Sequence, residues 1–362
     1  MESVRFAGLD VHAESVAIAV ADKGLPPAML GVFPNDIPSI TKRLRRLGRV
    51  RCCYEAGPTG YGLQRALTEA GIDCIVVAPS LVPRTAGERI KTDRRDAIKL
   101  ARFLRSGDLT SVAVPDADTE AMRDLERARD AAKRAERVAR QQLTSFLLRH
   151  GRRFPGRTAW SQPHFVWLRG QRFDNEAQRR VFEDGLRTIE ETTARVARLT
   201  TAIRELVDTW SLGPLVKALQ AFRGIELISA TVIAAEVGDL RRFGSAPQFM
   251  SYLGLVPSER SSGNERRQGA ITRAGNAYVR RILIEAAWAY RHRPFVGRAL
   301  RNRSAGISEE VRRIAWRAQE RLSAKRKKLW GRGKPVNKVA AAIARELAGF
   351  IWAVGQVQHL VA

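Results

Sequence analysis

VRFAGLD (residues 4–10), SVAIAVA (15–21) and AMLGVF (28–33) open the chain as three short apolar runs separated by brief polar connections. Such runs predict strands, and the shortness of the connections predicts antiparallel pairing. The amphipathic stretch 36–47 predicts a helix, with Asn35 or Asp36 as its cap. A strand over 50–54 (VRCCY) ending at Glu55, a helix over 61–70 and a strand over 72–77 (IDCIVV) follow. A further helix is predicted from near Thr92 to about Arg105.

Three antiparallel strands followed by helix, strand, helix, strand and helix is the element order of a ribonuclease-H-like α/β fold. In an open α/β sheet, ligands collect beyond the carboxyl ends of the strands. Asp10 and Glu55 are expected at such ends on neighbouring strands, and Asp93 and Asp96, three apart, share one helix face. Four carboxylates converging beside a phosphodiester are the usual way to hold two divalent cations, here Mg²⁺. Taken singly, each has a plainer role. Asp93 suits the first turn of a helix capped by Thr92, Asp96 can pair with Arg94 or Arg95, and Glu55 can be a loop acid. Their joint placement favours the metal site.

The 362 residues have room for two or three domains and carry 63 Lys and Arg against 37 acids, a formal net charge of +26. Guanidinium forks match phosphate, so nucleic acid is the leading partner, with an acidic partner or a membrane surface as the alternative. The basic surplus concentrates in residues 266–345. Residues 321–338 hold eight basic residues and no acid, which makes Lys325, Arg326, Lys327 and Lys328 candidate phosphate contacts. Apolar segments on either side argue for a docked stretch rather than a disordered tail. Cys52, Cys53 and Cys74 lack metal-site spacing and read as reduced core residues. Neither a signal peptide nor a membrane span is visible, so a soluble cytoplasmic protein without a membrane partner is expected.

Residues 118–150 are rich in Ala, Arg and Glu. Leu125, Ala128, Ala132, Ala135, Ala139 and Phe146 follow a three-four spacing. A second run, from Ile189 and Thr192 through Val196, Leu199, Ile203 and Leu206 to Trp210, keeps it. The pattern predicts an antiparallel hairpin or a coiled-coil seam between subunits, and periodicity alone does not separate the two. The linking stretch 151–175 has no assignment, and His164 within it reads as structural. Residues 215–243 predict helix, a turn at Gly224, then helix. This is either a phosphate-binding helix-hairpin-helix, weakened by Glu226, or a packing turn. The segment GLVPSERSSGNERRQGAITRAGN (254–276) reads as a polar, glycine-punctuated loop. Ser261 and Ser262 lie in it with Arg266, Arg267 and Arg273 near enough in sequence to neutralise a phosphate. A serine nucleophile would need that charge, although ordinary loop serines would look the same.

With these segments in view, the chain resembles the DEDD-type transposases of the insertion sequence 110 family over essentially its whole length. GLDVHAESVAIAV, YEAGPTGYGL and KTDRRDAIKLARFL resemble that family's RuvC-like domain. FRGIELISATVIAAEVGDLRRF and the Ser-Ser-Gly segment with ITRAGNAYVRRILIEAAW resemble its C-terminal domain. Together with the helical spacing of the middle, the resemblance divides the chain into three parts. They are a RuvC-like metal domain over 1–112, a helical hairpin or coiled-coil region over 113–213, and a mostly α transposase domain over 214–362. It implies Asp10, Glu55, Asp93 and Asp96 as metal carboxylates and Ser262 as nucleophile, with Ser261 as the other register. It also implies DNA as donor and target, a structured noncoding guide RNA that delegates sequence choice, and a homo-oligomer, dimer or tetramer, with sites shared between subunits. The setting it implies is the bacterial cytoplasm, associated with the nucleoid when acting. The rival functions are a metal-dependent junction nuclease using water as nucleophile and a non-catalytic nucleic-acid scaffold.

Overall fold

The computed structural model describes residues 4–83, 92–262 and 265–361, with the Ser261 and Arg266 side chains outside the described set. The chain forms two compact units, one ending at Val114 and one starting at Pro115. No described helix is long and apolar enough to cross a membrane.

The first unit is built on one sheet. Its strands are β1 (Arg5–Val11), β2 (Ser15–Ala21), β3 (Ala28–Pro34), β4 (Val50–Glu55) and β5 (Asp73–Val77), in the order β3-β2-β1-β4-β5. The first three pair antiparallel, as their short connections require, whereas β4 lies parallel to β1 and β5 parallel to β4. The helices are α1 (Ile37–Arg45), α2 (Gly62–Glu69) and α3 (Asp93–Ser106). Asp10 lies inside β1 rather than after it, because the ladder with β2 continues to the pair Val11–Val16.

Side chains alternate across a sheet, and the two faces are packed differently. Ala7, Leu9, Ile18 and Tyr54 pack with Ile40 of α1 and Leu67 of α2 on one face. On the other face α3 lies over small residues: Ala97 and Ala101 of the helix meet Ala17, Ala19 and Ala21 of β2. Gly8 belongs to this second face. A Cβ there would stand 2.3 Å from both the Ala97 carbonyl oxygen and the Ala101 amide nitrogen, closer than atoms approach. The helix therefore rests on β1 backbone. Its start is fixed by Thr92, whose hydroxyl accepts from the Arg95 amide at 3.4 Å, and its end by Gly107 in the left-handed region. The three cysteines are buried free thiols of this unit.

The second unit is helical apart from one ribbon. Helices α4 (Ala117–Arg149) and α6 (Glu176–Val207) pair within the chain. Arg129 donates to Thr200, Thr193 donates to Glu136, and Gly185 faces Leu143, so the two run antiparallel. The seam differs from the expected one. Ala132, Ala139 and Phe146 are buried, but Ala135 is exposed, and Glu126 and Glu136 take interior positions. Leu206 is likewise exposed while Val207 is buried. The carboxylate of Glu136 is tolerable because Lys133 at 2.6 Å, Arg140 at 2.5 Å and the Thr193 hydroxyl surround it. Burial alone would raise its pKa, yet these partners hold it below the usual carboxylate range. The linking stretch contains α5 (Gln162–Arg169). His164 there is buried, accepts at Nδ1 from the Trp160 amide at 2.9 Å and stacks on Trp167. Burial lowers its pKa, as suits a structural histidine.

The remaining elements are α7 (Gly213–Leu219), α8 (Leu227–Val237), α9 (Ala246–Tyr252), strands β6 (Pro257–Ser262) and β7 (Glu265–Ile271), α10 (Ala277–Ala287), α11 (Arg298–Arg303), α12 (Glu309–Gly331) and α13 (Val336–Gly355). Every residue from Ala230 to Val237 is buried, so α8 is the centre of this core. Gly224 precedes it in the left-handed region, and a Cβ there would sit 2.7 Å from the Ala286 carbonyl. Close packing on α10 therefore accounts for this glycine. Arg123 and Arg127 of α4 clasp α8 through the Ala235 carbonyl and Glu236.

Glu126, 1% exposed, accepts from the Tyr278 hydroxyl at 2.8 Å, while its other oxygen has no hydrogen-bond partner among the described residues. Burial pushes its carboxyl up to about 7. The folded state thus holds this proton more tightly than the unfolded chain, whose glutamate titrates near 4.5. Stability contributed by the group is full below that value and is lost as pH rises towards 7. Glu126→Gln is expected to raise the melting temperature at pH 8 and to flatten its decline between pH 5 and 8, as followed by circular dichroism.

Candidate functional site

The sheet places Asp10 and Glu55 together. The last parallel pair between β1 and β4 is Leu9 with Tyr54, so Asp10 and Glu55 are the next residue on each strand. By alternation both share the face of Gly8 and Cys53, on which α3 packs. Glu55 is the final residue of β4, opposite Val77 of β5. The segment after it is held by Tyr54, whose hydroxyl donates to the Gly60 carbonyl at 3.2 Å and accepts from the Gln64 amide.

Because α3 starts above the end of β1, its first turn brings acids to the same place. Asp10, His12 and Asp93 each offer a ligand atom within 4.8 Å of the others. His12 Nε2 lies 3.2 Å from Asp10 Oδ2 and 3.5 Å from Asp93 Oδ1. The imidazole is held at the hairpin tip, where the His12 amide donates to the Ser15 carbonyl and Asn35 donates to the His12 carbonyl at 2.7 Å. His12 is absent from the four-acid pattern. It stands just past the end of β1, where an exposed histidine carries no periodic signal in the sequence.

The pKa of Asp10 is raised, chiefly by burial and further by the charges of Asp93 and Asp96, against the lowering effect of His12. Asp96 is half-buried one turn into α3 and so belongs to the same electrostatic cluster. A half-buried carboxylate repelled by two others is a poor place for bare negative charge and a good one for a hard cation, so the donor set fits a divalent metal.

The serines lie in the second unit, in a different setting from the expected loop. Residues 257–271 form an antiparallel ribbon in which Arg260 pairs with Arg267, Ser261 with Arg266 and Ser262 with Glu265. Ser262 is exposed at the end of β6. The ribbon carries almost no apolar residues, so it has no hydrophobic alternation to read. Gly263 and Asn264, which connect the strands, lie outside the described residues, as do the side chains of Ser261 and Arg266.

The base of the ribbon is tightly fixed. Thr272 and Arg273 donate backbone bonds to Val256 and Gly254. Gly254 and Gly275 have positive φ, and a Cβ at Gly275 would fall 1.9 Å from the Tyr252 carbonyl oxygen. Arg273 itself adopts φ 57°. Asn276 caps α10 and donates to Glu236 at 2.8 Å. Arg267 pairs with Glu265 at 2.8 Å.

Among the basic candidates, Lys325 is drawn away from solvent. Its ammonium lies 2.5 Å from Glu346, which Arg321 also reaches, so it clasps α12 to α13. Burial opposes the ionised Glu346, but these cations hold its pKa below the usual value. Lys327 and Lys328 are exposed, and Arg326 lies over the Trp330 ring.

A protein with an acidic cluster at a sheet end and an arginine-bearing serine ribbon has the parts of a nucleic-acid-processing enzyme. Comparison with known proteins makes the class definite. Residues 7–151 match the DEDD transposase domain of the IS110 family, and residues 216–300 match the transposases of the IS116/IS110/IS902 family. The chain is 46% identical to the putative transposase y4qE of Sinorhizobium fredii, over 97% of this chain and 88% of that one. It is 30% identical to the transposase for insertion sequence element IS1533 of Leptospira borgpetersenii, over 92% of this chain and 99% of the relative. The chain belongs to the IS110 family of insertion-sequence transposases. A DEDD transposase domain implies use of a divalent metal, and the Asp10 cluster lies inside that matched region.

Asp10→Asn is expected to abolish Mn²⁺ binding measured by titration calorimetry, with a folding stability within about 1 kcal/mol of the parent or slightly above it at pH 7. The sign follows from the raised pKa: ionised Asp10 works against the fold above its unfolded value of 3.8.

Proposed function

We propose that the chain cuts and rejoins DNA through the Ser262 hydroxyl, assisted by a magnesium site formed by Asp10, Glu55, Asp93 and Asp96. The observation that carries this reading is the convergence of Asp10, His12 and Asp93 within 4.8 Å at the end of β1 in a chain of this family. The order β3-β2-β1-β4-β5, three antiparallel strands and then two parallel ones, supports reading the first unit as ribonuclease-H-like and RuvC-like. On this view residues 1–112 hold the metal site, 113–213 serve assembly and 214–362 carry the serine.

Magnesium, when bound, supplies the positive charge that polarises a scissile phosphate. The rest of the chemistry falls to the ribbon. Ser262 Oγ forms a bond to phosphorus while the bond from phosphorus to one deoxyribose oxygen breaks. The proton lost by Oγ passes to solvent and the departing oxygen takes one up. In rejoining, a deoxyribose hydroxyl of the second strand displaces Oγ and the serine recovers its proton. Arg266, Arg267 and Arg273 balance the charge that develops on the phosphoryl oxygens, and Arg326, Lys327 and Lys328 contact backbone phosphate.

A guide RNA and a homo-oligomer complete the proposal. The arginine surplus supports the first, and exposed Val138 and Val181 on the α4–α6 hairpin support a second copy there. Ribonuclease treatment that leaves joining intact would remove the guide, and a monomer by light scattering on nucleic acid would remove the oligomer.

The direct test is a denaturing gel of the protein with DNA and Mg²⁺. Wild type is expected to yield a covalent protein–DNA adduct, and Ser262→Ala to lose it with at least about a thousandfold loss of cleavage. Cleavage that persists in Ser262→Ala without any adduct would instead establish a water-using nuclease. An adduct retained by Ser262→Ala but lost in Ser261→Ala would move the nucleophile by one residue.

A further inference from the structure

Helix α12 carries a feature that neither the acid cluster nor the serine ribbon uses. Of the seven tryptophans in the chain, two are exposed, and both stand on this helix: Trp316, 39% exposed, and Trp330, 55% exposed. They are fourteen residues apart. At 100° per residue this is 40° short of four turns, so both indoles fall on one stripe, about 21 Å apart along the axis. Lys327 is exposed and falls within about 20° of Trp316 on the same stripe. Arg326 lies over the Trp330 ring, 5.5 Å from its centroid. Past its two opening glutamates the helix has eight Lys and Arg and a single acid, Glu320.

Trp316 also walls a cavity of about 250 Å³, lined by Leu300, Ala305 and Gln319 with Arg301 and Arg312. The recess is thus largely apolar with guanidinium groups beside it. An indole with a guanidinium beside it offers a flat apolar face and a cation together. The charge around these two selects that partner. A second copy would bring like charge against the stripe, and a duplex would offer phosphates but keep its base faces stacked inside. An unpaired strand offers both things the stripe can use, flat apolar base faces for the rings and a phosphate chain for the cations.

We propose that Trp316 and Trp330, with Arg326 and Lys327, form a stacking platform on α12 for a stretch of unpaired DNA. This rests on the transposase reading only in that the chain acts on DNA, and it needs neither the serine nor the metal site.

The test is fluorescence anisotropy of the full-length protein with a labelled twelve-nucleotide single-stranded DNA, the duplex of the same sequence and the equivalent RNA strand. Trp330→Ala is expected to weaken single-stranded DNA binding about tenfold or more, with duplex affinity little changed and Trp330→Phe restoring most of the loss. Lys327→Ala is expected to weaken strand and duplex alike. Equal loss on strand and duplex in Trp330→Ala, no loss at all, or loss confined to the RNA strand would overturn the proposal. So would a concentration-dependent dimer that Trp330→Ala abolishes, since the stripe would then be a protein interface. A Ser262→Ala protein that joins DNA normally would refute the serine reading and leave this one standing.

Discussion

Helix α3 can lie directly on strand β1 because position 8 has no side chain. Any Cβ there would enter the backbone of Ala97 and Ala101, and the alanines of β2 keep the neighbouring surface equally flat. This close approach sets the height of the helix over the sheet, and the height sets where its first turn ends up. Asp93 then stands within reach of Asp10 across the His12 imidazole. The acid cluster is thus a consequence of small-residue packing two positions further back along the strand. Its carboxylates repel one another at a half-buried site, a cost that a bound cation would remove.

The second unit solves a different problem. A polar ribbon with no apolar face has no means of holding its own position, so it is fixed from below. Gly254 and Gly275 allow backbone to touch backbone at its base, and Asn276 ties the start of α10 to Glu236. Glu236 is in turn paired with Arg127 of the long α4 helix. If Ser262 attacks a phosphate as proposed, it gains from such an anchorage, since a site is held best by a fixed support.

Much of the first unit was legible in the sequence because its strands are short apolar runs bounded by turns, and because caps such as Asp36 and Thr92 mark helix starts. Asp10 and Glu55 could be placed at neighbouring strand ends from element order alone. His12 was not legible, since one exposed histidine carries no periodic signal. The ribbon was missed for the opposite reason to the strands: it alternates nothing. In the α4–α6 pair the three-four spacing located the helices, but Glu136 enters the seam, made tolerable by Lys133 and Arg140, while Glu126 is buried against Tyr278 of α10. Lys325 looked free in a basic run, yet Glu346, twenty-one residues on, claims it.

The measurement that bears most directly on this account is the Mn²⁺ affinity of Gly8→Ala, followed by electron paramagnetic resonance of the free ion. The variant keeps every carboxylate and His12 and changes only how closely α3 can approach β1. The account predicts binding weaker by about tenfold or more, together with a loss of stability of about 1–3 kcal/mol from overpacking. Unchanged affinity in a protein with native circular dichroism would contradict it, since the acids would then be assembled by something other than that contact.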